Sequence, residues 1–329
     1  IVVGFLGMAF TFLMLVKSAV DLAFVEGAQP GFAPVLPGVN IPGLPTLSFW
    51  HWLIGIFVLA VVHEFAHGVL ARVHKLEVKN SGFGFLGPIL LAFVEPDEKK
   101  IVKTKGKVQM SVYAAGPFSN FIFAGLFLLV SFYVMQPISD NIFIPDGIEV
   151  HKFTEGFPAE KSGLELPFTI LGVNGVGALD GESFKEATEN IKPGDLIKLK
   201  TDQGEFEIVT AAKTEEPEKG YIGIEQMNVK TRTKEGVSKF AADVASWFSL
   251  LFFWLFILNL GVGLFNLLPL GPVDGGRMFL VACLGIFKKE ERAKKVWRSA
   301  MYIILFLIFV NLLPWLGKLL SFITGFFVK

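Results

Sequence analysis

Five long apolar segments limit what this chain can fold into. A helix needs about 20 apolar residues to cross a bilayer, and runs of about that length occur at about 1–25, 48–71, 107–135, 239–268 and 297–328. Hydrophobic residues make up 52% of the 329-residue chain, and charged residues make up 18%. The sequence therefore predicts a multi-span α-helical membrane protein.

The last apolar run leaves the number of transmembrane helices at five to six. Pro314 and Gly317 lie inside it, so it predicts either one kinked helix or a span followed by a short returning helix. Residues 275–287 form a further, shorter apolar stretch. The first run has no basic leader and no small-residue cleavage site after it, so we predict no signal peptide.

Basic residues in the connections predict the orientation in the membrane. No Lys or Arg occurs from Ser18 to Ala71, so the connection between the first two runs should lie outside. Two later connections are basic and should face the cytoplasm. They contain Arg72, Lys75, Lys79, Lys99, Lys100, Lys103, Lys105 and Lys107, and then Lys288, Lys289, Arg292, Lys294, Lys295 and Arg298.

Residues 140–232 interrupt the membrane pattern and predict a soluble insert. They are rich in Gly, Glu, Lys and Asp, and alternation at 197–200 and 205–209 predicts short strands. The insert resembles the PDZ family as found in proteases, which implies a small α+β domain that binds an extended peptide as an added strand. The resemblance lies in GFPAEKSGL (156–164), ILGVNG (170–175) and PGD (193–195). A small strand-rich domain of another type is the alternative.

An HExxH motif lies inside the second apolar run, at His63, Glu64 and His67. On a helix, two histidines four residues apart share a face and can bind one Zn²⁺ ion, while the glutamate can polarise water. Ionisable groups are costly to bury in an apolar helix, so the cluster indicates function. The alternative is a helix end where these groups meet water. Cys283 is the only cysteine, so a metal site must use His and carboxylate ligands.

A third metal ligand is expected elsewhere, because a catalytic zinc ion takes three protein ligands and leaves one position for water. The fourth apolar run ends in NLLPLGPVDGG, residues 266–276. Its prolines and glycines predict an unwound backbone, which membrane proteins tolerate only where it lines a cavity or is buried in protein. Asp274 on this segment is the candidate ligand, and an ordinary turn aspartate is the alternative.

An HExxH in one span with N-x-x-P-x-x-P-x-D-G in a later span resembles the paired signature of the site-2 protease family of intramembrane metalloproteases. Every fixed position of both motifs is present. The resemblance implies that His63, His67 and Asp274 bind Zn²⁺. It also implies that Glu64 is the general base and later proton donor, and that Asn266 helps to position the substrate or the oxyanion.

A third family element matches at AGPFSN, residues 115–120. Small residues there predict close approach between helices, and Asn120 is a candidate for positioning the substrate, although packing alone is the alternative. The PDZ-like insert also occurs in many family members. The resemblance therefore covers roughly residues 48–315.

Residues 82–95, GFGFLGPILLAFVE, are apolar, rich in Gly and too short to span. They predict a re-entrant β-hairpin that lies against the protein beside the metal, because lipid does not tolerate an open sheet edge. The family resemblance implies that this edge holds an unwound substrate as an added strand. A simple cytoplasmic linker is the alternative.

These observations divide the chain into five segments. They are an N-terminal helix with an external linker (1–47), the first half of the catalytic core (48–139), the PDZ-like domain (140–232), the second half of the core (233–287), and a cytoplasmic linker with the C-terminal span (288–329).

The expected function is that of an intramembrane zinc metalloprotease that cuts single-span membrane proteins within or near their transmembrane segments. Arg72 follows His63 by about 14 Å of helix, so the site should lie nearer the cytoplasmic side of what we expect to be a prokaryotic plasma membrane. The PDZ-like domain should lie outside. The net charge is zero and no basic face stands out, so no nucleic-acid partner is expected. A transmembrane metal transporter and a catalytically silent PDZ scaffold are the alternatives.

Overall fold

The computed structural model describes residues 1–25, 27–39, 41, 43–87, 89–213, 216–287 and 289–327. Pro88 in the predicted hairpin, Lys288 in the second basic connection and Val328 in the last apolar run lie outside the described residues. The chain forms two compact units. One consists of Ile1–Val134 with Phe248–Lys329, and the other of Met135–Trp247.

Five helices among the described residues are long and apolar enough to cross a membrane. They are α1 (Val2–Phe24), α2 (Phe49–Val73), α4 (Gly106–Val130) with its continuation, α7 (Lys239–Asn266) and α9 (Glu290–Phe327). The continuation of α4 is a π-helical turn, Ser131–Met135, and then α5 (Gln136–Ile142). The prediction of a multi-span helical protein is therefore confirmed.

The last apolar run forms one helix rather than a span with a returning helix. α9 continues past Pro314 without a break. The shorter apolar stretch forms α8 (Asp274–Ile286), whose 13 residues are not among the candidate spans. A helix of that length measures about 20 Å, which is less than the hydrocarbon thickness of about 30 Å. The described helices thus correspond to the lower of the two predicted counts.

The ends of α2 follow from local sequence. The hydroxyl oxygen of Ser48 accepts a hydrogen bond from the N–H of His51 at 3.4 Å, which satisfies a donor that has no partner inside the helix. At the other end, Lys75 has a φ of 58° and leads the chain out of the helix toward β1 (Val78–Leu86). The HExxH motif therefore lies within the second half of one continuous helix.

The helices of this unit pack through small residues and buried polar contacts. α4 packs against α2 and α8, and α1 packs against α9. The Ser18 hydroxyl in α1 donates to the Asn311 side-chain oxygen in α9 at 2.5 Å, and both residues are buried. A Cβ added at Gly55 in α2 would lie 2.4 Å from the Leu258 side chain in α7. Helices associate in lipid through van der Waals contact, which small residues allow, and through interhelical hydrogen bonds.

A two-stranded antiparallel hairpin follows α2. It consists of β1 and β2 (Ile89–Pro96), with Ser81 opposite Val94 in the register. Gly87 between the strands has a φ of 60°, which glycine adopts without strain. β2 packs against α2, and α3 (Glu98–Val102) follows it. A hairpin thus forms where one is predicted, and its depth in the membrane stays a prediction.

The second unit is built around an antiparallel sheet with the strand order β10-β3-β4-β6-β7. The strands are β3 (Phe143–Phe153), β4 (Phe168–Val173), β5 (Val176–Gly177), β6 (Leu196–Thr201), β7 (Gly204–Val209), β8 (Ala211–Ala212), β9 (Gly220–Tyr221) and β10 (Ile224–Thr233). β5 pairs with β4, and β8 pairs with β9. The strands predicted at 197–200 and 205–209 are confirmed as β6 and β7.

The sheet has its own apolar core. Val150, Phe168 and Ile170 are fully buried, and Phe184 from α6 (Gly181–Thr188) packs against this core. The resemblance to PDZ domains and the predicted boundaries at 140 and 232 stay predictions.

The chain enters and leaves the sheet at one place. Phe143 at the start of β3 lies opposite Thr233 at the end of β10. The N–H of Lys234 donates to the carbonyl of Ile142 at 2.9 Å. The two ends of the inserted sheet are therefore neighbours.

Candidate metal centre

The two histidines of the HExxH motif lie one turn apart on α2 and are both 9% exposed. Their Nε2 atoms are 3.2 Å apart. The helix thus directs two imidazole nitrogens to one point, as the spacing of four residues predicts.

Asp274 reaches the same point from a distant part of the chain. α7 ends at Asn266 and α8 begins at Asp274, so the predicted unwinding of this segment is confirmed. The Asp274 Oδ2 atom lies 3.0 Å from the Nε2 of His63 and 3.2 Å from the Nε2 of His67. The structure therefore brings the three predicted ligands together.

The turn before Asp274 depends on the two glycines that follow it. A Cβ at Gly276 would lie 1.6 Å from the carbonyl oxygen of Leu270, and one at Gly275 would lie 2.2 Å from the carbonyl of Leu267. No side chain fits at such distances. The start of α8 can therefore pack against the backbone of Leu267 and Leu270 only with glycine at both positions.

The three donor atoms suit a zinc ion. Zn–N bonds of about 2.0–2.1 Å place neighbouring ligands of a tetrahedron about 3.3 Å apart. The observed separations of 3.0, 3.2 and 3.2 Å are close to this value. Two imidazoles and one carboxylate also leave the fourth position that catalytic zinc sites keep for water.

The hydrogen bond of His67 supports the same interpretation. Its Nδ1 lies 2.8 Å from the carbonyl oxygen of Val112, which can only accept, so Nδ1 carries the proton. The Nε2 atom then has a lone pair directed at the site. A second partner that fixes the tautomer in this way is common for metal-binding histidines.

Asn120 on α4 is the corresponding partner of His63. It is fully buried, and its amide lies 3.1 Å from the His63 Nδ1. Its Oδ1 has no hydrogen-bond partner among the described residues, so no contact of that oxygen opposes a half-turn of the amide. A half-turn exchanges the positions of the amide oxygen and nitrogen without moving the rest of the side chain. With the oxygen toward the ring, Asn120 accepts the Nδ1 proton and leaves Nε2 free for a metal.

Gly116 lies one turn before Asn120 on α4, next to the donor atoms of the two histidines. A Cβ there would lie 2.5 Å from the Nε2 atoms of both His63 and His67. The sequence predicts close approach between helices at this position, and the structure identifies the approaching groups as the two imidazole rings.

Glu64 and Asn266 line the cavity that contains the three donor residues. This cavity has a volume of about 670 Å³. The Oε2 of half-buried Glu64 accepts a hydrogen bond from the N–H of Val94 on β2 at 3.2 Å. Asn120 is not among the described residues that line it and contacts His63 from α4 instead.

Charged residues also line the cavity. Arg277, one turn after Asp274 on α8, pairs with Glu98 at 2.9 Å, and its guanidinium lies 5.6 Å from the centre of the Tyr113 ring. Lys79, Glu95 and Lys99 complete this charged lining. A cavity with this lining can hold water beside the donor set.

Sequence reasoning missed three partners of the site. Two are backbone groups, the Val112 carbonyl and the Val94 N–H, which no residue type reveals. The third is Arg277, whose position three residues after Asp274 was a usable signal because such neighbours share a helix face.

Comparison with known proteins identifies the family. The family model of Peptidase family M50 matches residues 51–310, and the chain therefore belongs to peptidase family M50, the site-2 protease family. The predictions of a zinc metalloprotease of this family and of Zn²⁺ as its cofactor are confirmed at the level of the family.

Individual relatives are similar over part or most of their length. An uncharacterised protein of Methanocaldococcus jannaschii is 30% identical over 229 residues, which are 68% of this chain and 55% of that protein. A putative zinc metalloprotease of Clostridium acetobutylicum is 26% identical over 76% of this chain and 91% of its own. The zinc metalloprotease RasP of Shouchella clausii is 25% identical over 57% and 53%. The chain thus spans about half the length of the first and third of these relatives.

Proposed function

We propose that this protein hydrolyses peptide bonds within or near the transmembrane segments of single-span membrane proteins. One observation carries the proposal: His63 and His67 from an apolar helix converge with Asp274 from a distant turn, with donor atoms 3.0–3.2 Å apart. Five candidate spans and membership of a metalloprotease family support an active site that works at membrane depth.

In this proposal His63, His67 and Asp274 hold the zinc ion. When bound, zinc acts as a Lewis acid that makes water acidic enough to supply hydroxide near neutral pH. The Val112 carbonyl and the Asn120 amide keep the proton of each imidazole on Nδ1, so both Nε2 atoms can serve as ligands.

Glu64 moves the proton. Its carboxylate takes a proton from water as the water oxygen attacks the scissile carbonyl, and it gives that proton to the amine nitrogen as the C–N bond breaks. The products are a carboxyl group and an amine. Asn266, which lines the same cavity, orients the substrate or hydrogen-bonds the oxygen that becomes negatively charged.

The site is proposed to lie nearer the cytoplasmic side. His67 and His63 precede Arg72 by about 8 to 14 Å of helix, and basic residues follow α2. The cavity of about 670 Å³ supplies the space through which water reaches the site.

The hairpin and the inserted sheet are proposed to handle the substrate. The hairpin would dip into the membrane and bind an unwound substrate segment along the edge of β2, which packs against α2. The PDZ-like domain, outside a prokaryotic plasma membrane, would bind an extended peptide and act as a size filter or tether. In this proposal the chain keeps the five predicted segments 1–47, 48–139, 140–232, 233–287 and 288–329, of which 48–139 and 233–287 form the catalytic core and 140–232 forms the PDZ-like domain.

Cleavage of a single-span test protein in proteoliposomes tests the proposal. Wild type should cut it, Glu64→Gln should lose cleavage by about 100-fold or more because the general base is removed, and Glu290→Gln, an exposed carboxylate paired with Lys294, should cut normally. Zinc uptake that persists in Glu64→Gln would favour a metal transporter. Binding without cleavage by wild type would favour a silent scaffold.

A further inference from the structure

The edge of β2 that lies beside α2 carries a backbone donor that is already in use. The N–H of Val94 donates to Glu64 on α2, so the backbone groups of Val94 point away from β1. Alternate residues of an antiparallel strand direct their backbone groups to the same side, so Ala92 shares this edge. Pro96 has no N–H and ends the row of donors. The edge thus offers a short ladder at Ala92 and Val94.

Packing holds this edge against the helix that carries Glu64. Gly68 follows Glu64 by four residues and so lies on the same face of α2. A Cβ at Gly68 would lie 2.9 Å from the Val94 Cγ1. The glycine allows the strand to approach the helix closely, which brings the Val94 N–H within hydrogen-bond distance of the Glu64 carboxylate.

A substrate strand on this edge needs the same N–H. Each strand added to a sheet places carbonyl oxygens on the donors of the edge. Glu64 and the substrate carbonyl therefore compete for one backbone hydrogen. Both cannot accept it with good geometry, because each needs a nearly linear approach.

We propose that the Val94 N–H holds the Glu64 carboxylate until the backbone of a bound substrate strand replaces it, so that strand binding itself releases the general base. The inference rests on the proposed function, because it takes β2 as the substrate edge and Glu64 as the base. Val94 is then a positioning residue that acts through its backbone. A molecule that enters the cavity without forming a strand leaves Glu64 held.

Peptide affinity distinguishes competition from simple positioning. The probe is a dye-labelled seven-residue peptide of alternating Val and Ala with blocked ends, titrated by fluorescence anisotropy against zinc-loaded full-length protein. Glu64→Gln and Glu64→Leu are compared, because both lack the base and leave the peptide intact. They are neutral and similar in size, but only Gln can accept from Val94. We expect the Leu variant to bind the peptide about tenfold more tightly.

Two controls separate the competition from other effects. Glu95→Gln and Glu95→Leu should bind the peptide equally, since the Glu95 carboxylate accepts from the Asn80 side chain and not from the Val94 N–H. A peptide of the same length with a central Pro cannot form the strand, so its affinity for Glu64→Gln and for Glu64→Leu should be the same.

The outcomes separate the inference from the proposed function. Equal affinity of the two Glu64 variants, or an equal gain for the Pro peptide, overturns the inference and leaves the protease assignment standing. If the peptide binds to none of the variants, both the inference and the proposal that substrate binds along the edge of β2 are overturned. Failure of wild type to cleave the single-span protein is a separate result, and it contradicts the function itself.

Discussion

Gly116 and Asn120 act on the two histidines from one face of α4. They are four residues apart, which places them one above the other on a helix. Gly116 leaves the space in which the Nε2 atoms of His63 and His67 meet, and the Asn120 amide contacts the ring of His63 on its far side. The segment AGPFSN (115–120), which the sequence predicts to pack between helices, therefore also positions the Nε2 atoms of the two histidines.

Replacement of Gly116 by Ala should weaken zinc binding by about tenfold or more, because the new methyl group would lie 2.5 Å from both Nε2 atoms. Zinc affinity is measured on purified protein by competition with a chelator. Gly125→Ala on the same helix is the matched control, since a Cβ there meets nothing within 4 Å. Equal zinc affinity in the two variants would contradict the role of Gly116.

Replacement of Asn120 by Leu should lower zinc affinity by about 10-fold to 100-fold, because His63 loses the acceptor that keeps its Nδ1 protonated. Asn120→Asp retains an acceptor and should recover most of the affinity. Asn259, also fully buried but bonded within α7, gives the control Asn259→Leu. If Asn120→Leu and Asn259→Leu bound zinc equally well, Asn120 would have only a packing role.

The side-chain donors of the site are predictable from the sequence, whereas their backbone partners are not. His63, His67 and Asp274 belong to residue types that bind zinc, and their motifs have a characteristic spacing. The Val112 carbonyl and the Val94 N–H belong to groups that nearly every residue has. Only the fold selects these two, by the positions of α4 and β2 relative to α2.

At the scale of elements, proline and glycine coincide with a break in one segment and lie inside a continuous helix in another. Between α7 and α8 they coincide with a turn, because Gly275 and Gly276 let the chain fold back on Leu267 and Leu270. In α9, Pro314 lies inside a continuous helix, as Pro117 does in α4. Membrane helices tolerate an internal proline when neighbouring groups satisfy the freed carbonyl. The sequence does not reveal those neighbours.

The stability of the N-terminal turn of α6 should depend on pH, because the carboxylate of Asp180 caps this helix. The backbone N–H of Ser183 donates to Asp180 at 2.7 Å and, with the Ser183 hydroxyl, lowers the pKa of that carboxyl below its ordinary value. A lowered pKa stabilises the folded helix above the unfolded pKa of about 3.9, and the effect disappears as the pH falls through the folded value. Amide hydrogen exchange of residues 181–188, corrected for intrinsic rates, should therefore accelerate in acid.

Asp180→Asn tests this dependence, since Asn caps a helix without titrating. The variant should show a flatter acid dependence of exchange than wild type. Glu189→Gln, at the other end of the helix, should behave like wild type. The same acid dependence in Asp180→Asn and in wild type would contradict the role of the cap.

At the scale of the whole molecule, the candidate metal ligands and the inserted sheet belong to different units. The donors belong to the unit of apolar helices, and the sheet has a separate core. The insert begins and ends at paired residues, Phe143 and Thr233. Its removal therefore needs only a short linker between Ile142 and Lys234, whose backbones already share a hydrogen bond.

Replacement of residues 143–233 by a short Gly/Ser linker should leave zinc affinity within about twofold of wild type, because the sheet is a separate unit with its own core and contributes none of the three donor residues. The same protein should accept test substrates with bulky outer domains that wild type rejects, if the PDZ-like domain acts as a size filter. Zinc affinity and cleavage of a paired set of small and large substrates are the two measurements. Loss of zinc binding would contradict the claim that the metal centre folds independently of the insert. Unchanged substrate choice would contradict the role of the insert as a size filter.

The separation of the donors along the chain has a consequence for synthesis. Asp274 follows His63 by 211 residues, and ribosomes add about 5 to 20 residues per second. Roughly 10 to 40 s therefore pass between the emergence of the histidine pair and that of the carboxylate. In the proposed mechanism, the nascent chain carries Glu64 during that interval without a complete set of metal ligands, so it is expected to stay inactive toward neighbouring polypeptides until Asp274 has been made.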